Sequence, residues 1–301
     1  VTTAAAHAGW LPPGLLERVG GLEMVARTVV RGFLSGLHRS PLRGAGEDFA
    51  RHREYQQGDD LRHLDWKLYG RTDRLYVREY EERSNLEAYL VIDATASMGY
   101  AGAGGVTKLR YAQFVAAALA HLMLSSGDAV GLAAFGGGAR LLLPPRARRG
   151  HLHDLLLQLD RLTPSGADGP GETLDRVGEG LRRRGRVILV SDLLEEDDGR
   201  GLAAAAGRLR ARGDETVLLR VLTPEEAGDA PPAPALFFDP ERPDAEVPAA
   251  PGADDGYAAR VGEYYRALGH RLHGRGVEYV PLSTAEPVEA GLVRWLAARR
   301  G

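Results

Sequence analysis

Cysteine is absent from the 301 residues, which excludes disulfides, thiolate metal sites and a cysteine nucleophile. Lysine is almost absent: Lys67 and Lys108 are the two in the chain, and arginine supplies the rest of its 38 basic side chains. That imbalance, beside abundant alanine, glycine and proline, is what a GC-rich coding sequence gives, so arginine clusters carry little weight as phosphate sites. A net charge of −3 provides no general attraction to nucleic acid or anionic membrane. No apolar run approaches the roughly 20 residues of a membrane span, and the N-terminus lacks a signal-peptide core. A soluble, cytoplasmic protein is expected. Common catalytic signatures are missing too. There is no G-x-x-x-x-G-K-[ST] phosphate loop and no G-x-S-x-G elbow. His151 and His153 diverge on their expected helix, two positions apart.

What is present is ordinary globular material, 44% hydrophobic and 26% charged, enough for a sizeable core. Residues 12–36 place apolar side chains at helical spacing behind two prolines, which predicts a packing helix. Residues 40–85 are dense in charge of both signs and broken by glycine, with "RLYVREY" alternating as a strand does. From Leu86 onward, apolar runs alternate with amphipathic stretches. Strands are expected at 86–93, 129–136, 140–144, 186–193, 215–223 and 277–282. Helices are expected at 107–127, 151–162, 173–184, 201–213, 257–276 and about 286–300. Continuous apolar strands separated by helices predict an α/β fold with a doubly wound, mostly parallel sheet. Residues 1–85 would form a helix and a charged short-strand segment packing on a main domain of 86–301. The stretches 163–172 and 224–256 read as irregular loops, the Pro/Ala-rich 239–256 as surface linker.

In such a sheet, functional loops leave the C-terminal ends of the strands. "YLVIDATASMGY" (89–100) ends a buried strand in Asp93, followed at alternate positions by Thr95 and Ser97. Residues i, i+2 and i+4 of an extended segment project to one side, so a carboxylate and two hydroxyls can converge. Hard cations such as Mg²⁺ take oxygen ligands of this kind. Taken alone the triplet is weak, because hydroxyls at a strand end also cap helices and loops. "ILVSDLL" places Ser191 and Asp192 at the end of a second buried strand, and "SGADGPGETL" places Thr173 at the start of a helix. Three loops offering oxygen at one sheet edge are a less accidental arrangement.

These segments resemble a von Willebrand factor A domain with a metal-ion-dependent adhesion site. The whole chain, through "GEDFARHREYQQGDDLRHLDWKLYGRTDRLYVREYEE", "VIDATASM", "GDAVGLAAF" and "VILVSDLL", resembles the bacterial "domain of unknown function 58" family. The resemblance implies that Asp93, Thr95 and Ser97 belong to a first metal loop, Thr173 to a second and Asp192 to a third. Threonine stands at 95 where serine is usual, and keeps the hydroxyl. It also implies Mg²⁺ or Mn²⁺ as the cofactor and a metal that bridges to an acidic side chain of a protein partner, while the missing catalytic groups speak for no enzymatic activity. A MoxR-type AAA+ ATPase is the partner it suggests, in chaperone-like assembly or maturation of other proteins. The alternative is a Mg²⁺-dependent phosphohydrolase of haloacid dehalogenase-like type. That chemistry needs a second aspartate two residues after the first, and Thr95 cannot do acid–base work near neutral pH. Residues 47–83 mix aromatic side chains with self-cancelling charge, which fits a structural or docking role better than a nucleic-acid groove.

Overall fold

In the computed structural model, residues 22–36, 45–55, 64–83, 86–148, 150–181, 183–195, 197–227, 236–239, 242–248 and 257–298 are described. The first of them form helix α1 (Leu22–Gly36), strand β1 (Ala45–Glu54), helix α2 (Trp66–Thr72) and strand β2 (Tyr76–Arg83). Strand β3 (Glu87–Asp93) leads through a 3₁₀ turn, Ala96–Gly99, into helix α3 (Lys108–Ser125). Then come β4 (Ala129–Phe135), β5 (Arg140–Arg146), α4 (His151–Asp160) and α5 (Pro170–Gly180). After these run β6 (Gly185–Ser191), α6 (Arg200–Arg212), β7 (Glu215–Leu222) and the single turn α7 (Pro224–Ala227). A short hairpin, β8 (Leu236–Asp239) and β9 (Arg242–Pro248), precedes α8 (Tyr257–His273), β10 (Glu278–Ser283) and α9 (Val288–Ala298).

Six strands make the main sheet in the order β10-β7-β6-β3-β4-β5, parallel except for the β4–β5 pair. The doubly wound, mostly parallel sheet expected from the sequence is therefore present. Its middle strands have no solvent face. Ala88, Leu90 and Ile92 of β3 point into a cluster with α3, α1, α4 and α9. Tyr89 and Val91 point the other way, into a cluster with α5, α6 and α8. This two-residue alternation makes both faces of an apolar run useful. Helix α3 is apolar nearly all round because it sits between the sheet and α1, whose Leu22, Ala26 and Val29 share its core. Thr107 starts α3 by accepting a hydrogen bond from the Arg110 N–H at 3.0 Å.

Of the first expected helix, residues 22–36 are helical and 12–21 lie outside the described residues. Three other features differ from those read in the sequence. In the charged segment, a strand not read in the sequence, β1, pairs antiparallel with β2. Part of the stretch read as linker, 242–248, is strand β9, paired with β8. Helix α5 begins at Pro170 rather than at 173, since proline is suited to the first helical position, where no N–H is needed.

Candidate metal centre

The reversal of strand order lies at β3, which has β4 on one side and β6 on the other. A crevice forms at the C-terminal end of such a strand. Asp93 ends β3, and Asp192 follows the last residue of the adjacent β6. Both are buried.

Asp93 Oδ1 accepts from the Thr95 N–H at 2.9 Å and the Thr95 hydroxyl at 2.6 Å, and Oδ2 accepts from the Ser191 hydroxyl at 2.5 Å. The Ser97 hydroxyl donates to Asp192 Oδ2 at 2.9 Å. Thr95 Oγ1 and Ser97 Oγ lie 3.0 Å apart. A hydroxyl has one hydrogen. The Thr95 hydroxyl gives its hydrogen to Asp93, while that of Ser97 can go to Asp192 or to Thr95. The two hydroxyl oxygens sit side by side between two carboxylates. The structure thus joins Asp93, Thr95, Ser97 and Asp192 in one chain of contacts. Thr173 is buried within the first turn of α5, and its hydroxyl donates to the Gly169 carbonyl at 3.0 Å.

The surrounding loops are stitched to one another. Ala94 donates to the Phe135 carbonyl at 2.7 Å and accepts from the Ser165 N–H at 2.7 Å, while the Ala96 N–H reaches the Gly166 carbonyl at 2.9 Å. Asp168 accepts from the Gly136 and Gly138 N–H groups at 2.9 and 2.6 Å. Beyond Asp192, Leu193 adopts φ +59, uncommon for a leucine. Two tyrosines of α8 hold that turn: Tyr265 donates to the Asp192 carbonyl and Tyr264 to the Leu193 carbonyl, each at 2.9 Å. Glu195 then accepts from the Gly171 N–H of α5 and the Leu202 N–H of α6, at 2.7 and 2.8 Å.

Two participants were missed in the sequence. Lys108, the first residue of α3, extends its ammonium to Asp192 Oδ2 at 2.8 Å and Glu226 Oε1 at 2.6 Å. Glu226 lies on α7, in a stretch read as loop. "TPEE" (223–226) did contain a signal, because Thr-x-x-Glu is a capping box. The box is formed: the Glu226 N–H donates to the Thr223 hydroxyl at 3.3 Å and the Thr223 N–H to Glu226 Oε2 at 3.0 Å.

The model of the family described as "Protein of unknown function DUF58" matches residues 51–241, well over half of the sequence. The chain belongs to the DUF58 family. Its relatives include the uncharacterized protein Rv1480 of Mycobacterium tuberculosis, 28% identical over 293 residues, covering 96% of this chain and 90% of that one. Solved structures similar to this DUF58 chain include BatB of Bacteroides thetaiotaomicron, with a TM-score of 0.49 and 15% identity over 71% of this chain and 98% of that one. A von Willebrand factor type A protein from Catenulispora acidiphila has a TM-score of 0.41 and 14% identity, covering 74% of this chain and 43% of its own. No helix among the described residues of this DUF58 chain is long and apolar enough to cross a membrane.

The donor set fits a hard divalent cation in kind, since all its side-chain atoms are oxygen. No group of three His, Asp or Glu side chains suited to a metal occurs among the described residues, so a cation here would rely on hydroxyls. Burial, and next the neighbouring Asp192, pushes the Asp93 carboxyl up to about 7 against three donors that favour its ionised form. Folded DUF58 chain therefore holds this proton more tightly than unfolded chain, where aspartate titrates near ~3.9. The resulting stabilisation is full below the unfolded value and is lost as pH rises towards the folded one. In chelator-treated protein, Asp93→Asn is expected to abolish that loss. Its melting-temperature advantage over wild type should grow between about pH 5 and about pH 7.5, measured by calorimetry at each pH. A constant difference across that range would rule out a raised Asp93 carboxyl.

Proposed function

We propose that this protein is a non-enzymatic, divalent-cation-dependent protein-binding module acting in the cytoplasm. Asp93, Thr95, Ser97 and Asp192 would hold Mg²⁺ or Mn²⁺, and Thr173 would join by turning its hydroxyl away from Gly169. The observation that carries this reading is the convergence of the Thr95 and Ser97 oxygens, 3.0 Å apart, between the Asp93 and Asp192 carboxylates. A cation among two carboxylates and neutral hydroxyls keeps an attraction for one further acid, which a partner's Asp or Glu can supply. Tyr100 and Leu194, exposed and close in sequence to Ser97 and Asp192, offer apolar surface for such a partner. The family resemblance suggests a MoxR-type AAA+ ATPase, with the pair assisting assembly or maturation of other proteins. The phosphohydrolase alternative has weaker support, because the hydroxyl at 95 donates to Asp93 where a general acid would be needed.

Mn²⁺ is expected to raise the melting temperature of wild type and leave Asp93→Ala unchanged. A co-expressed MoxR-type ATPase is expected to co-elute with wild type, and to be lost with Asp93→Ala or with chelator. Equal retention by wild type and variant would sink the bridging mechanism. Phosphatase activity that needs both Asp93 and Mg²⁺ would instead establish the enzyme.

A further inference from the structure

Lys108 is in a place that helix electrostatics disfavour. It is the first residue of α3, where the positive end of the helix dipole repels a cation. Its side chain is only 1% exposed, in a chain that otherwise makes its cations almost entirely from arginine. What holds it there is a pair of carboxylates. Asp192 Oδ2, already accepting from Ser97, lies 2.8 Å from Nζ, and Glu226 Oε1 lies 2.6 Å from it. The two carboxylates differ in kind. Asp192 belongs to the oxygen cluster around Asp93. Glu226 stands outside it on α7, its other oxygen fixed by the Thr223 capping box. That turn is itself tied to the loop before α3, because the neighbouring Glu225 accepts from the Ala103 N–H at 2.8 Å.

We propose that Lys108 is the resident cation of this site, that it competes directly with a divalent ion for Asp192, and that Glu226 is the seat to which it withdraws when the ion enters. The inference rests on the metal-binding reading above and adds its regulation. An ammonium and a divalent ion at contact distance from the same carboxylate oxygen repel each other strongly where little water screens them. Binding of the ion therefore includes the cost of loosening Lys108 from Asp192. A compact ammonium on a flexible stem can pivot between two carboxylates, whereas a planar guanidinium is not suited to that exchange. Without an ion, Lys108 keeps the two strand ends in position. The site is preassembled, and its divalent affinity is held low.

The test compares Mn²⁺ titrations, by calorimetry, of wild type and the double variant Lys108→Met/Glu226→Gln. The double variant removes the ammonium while leaving the local net charge unaltered. Direct competition predicts that it binds Mn²⁺ at least about tenfold more tightly than wild type. Equal or weaker binding would overturn the inference while leaving the metal site standing. Adding Asp93→Ala to the double variant should abolish binding. If it does not, or if neither protein binds Mn²⁺ at all, the metal-site reading fails and the inference fails with it. Should the double variant not fold, lysine-selective ¹⁵N labelling of wild type gives signals from just two side chains. Saturating Mg²⁺ should shift the Lys108 ammonium signal, and a bound ion that leaves it unmoved would overturn the proposal.

Discussion

Alanine at position 192 is expected to destabilise the metal-free protein by about 3 kcal/mol, a value at the low end for breaking a buried ion pair from one side. The carboxylate it removes is 3% exposed and serves both the Lys108 ammonium and the Ser97 hydroxyl. Lys108 would remain buried with Glu226 as its single carboxylate. Two effects keep the loss from being larger. Glu226 still neutralises the ammonium, and Asp93 is freed from a repulsive neighbour. Adding Lys108→Met to Asp192→Ala should then cost less than the two single losses summed, because the pair acts as a unit. Chemical denaturation of the four proteins would measure this. Strict additivity would mean that the pair contributes nothing to folding.

Gly136→Ala should be worse still, at about 4 kcal/mol or more, or should yield no folded protein. Gly136 has φ +119, a conformation that L side chains rarely adopt. A Cβ there would stand 2.2 Å from the Ala94 carbonyl oxygen and 2.6 Å from that of Ser165. Both obstacles are backbone, so no rotamer change relieves them, and they belong to the loops that position Asp93. Gly138→Ala is the natural comparison: φ is +106, yet nothing lies within 4 Å of the added carbon. It should lose only the conformational part, about 1–3 kcal/mol. If the two variants melt at the same temperature, crowding at Gly136 is not what fixes its glycine.

The parts of this fold legible in sequence were those whose burial left a pattern. β3, β4, β6 and β7 are apolar runs because helices cover both their faces, and a run that short and that apolar suits little else in a soluble protein. β1 and β9 left no such mark. "AGEDFARHRE" and "RPDAEVP" lack regular apolar alternation, and their order comes from pairing with a neighbouring strand. At the site, Asp93, Thr95, Ser97 and Asp192 were readable because acids and hydroxyls at strand ends are uncommon in the apolar context that precedes them. Lys108 and Glu226 were not, since they meet across 118 residues of sequence. A lysine at a helix start and a glutamate in a capping box are each unremarked in their local setting. Only the fold reveals that they face each other.

The outer strands of the main sheet, β5 and β10, bear on how anything could attach to this molecule. Pro144 and Pro145 lie in one and Pro281 in the other. A proline at an outward position leaves the edge without a donor there, and because successive residues of a strand face opposite sides, only one of Pro144 and Pro145 can do so. An incoming extended peptide would find an interrupted ladder on either flank, and so would a misfolded copy seeking to extend the sheet. Capture by strand addition is discouraged at both margins, and the strand tips are left as the better ground for encounter.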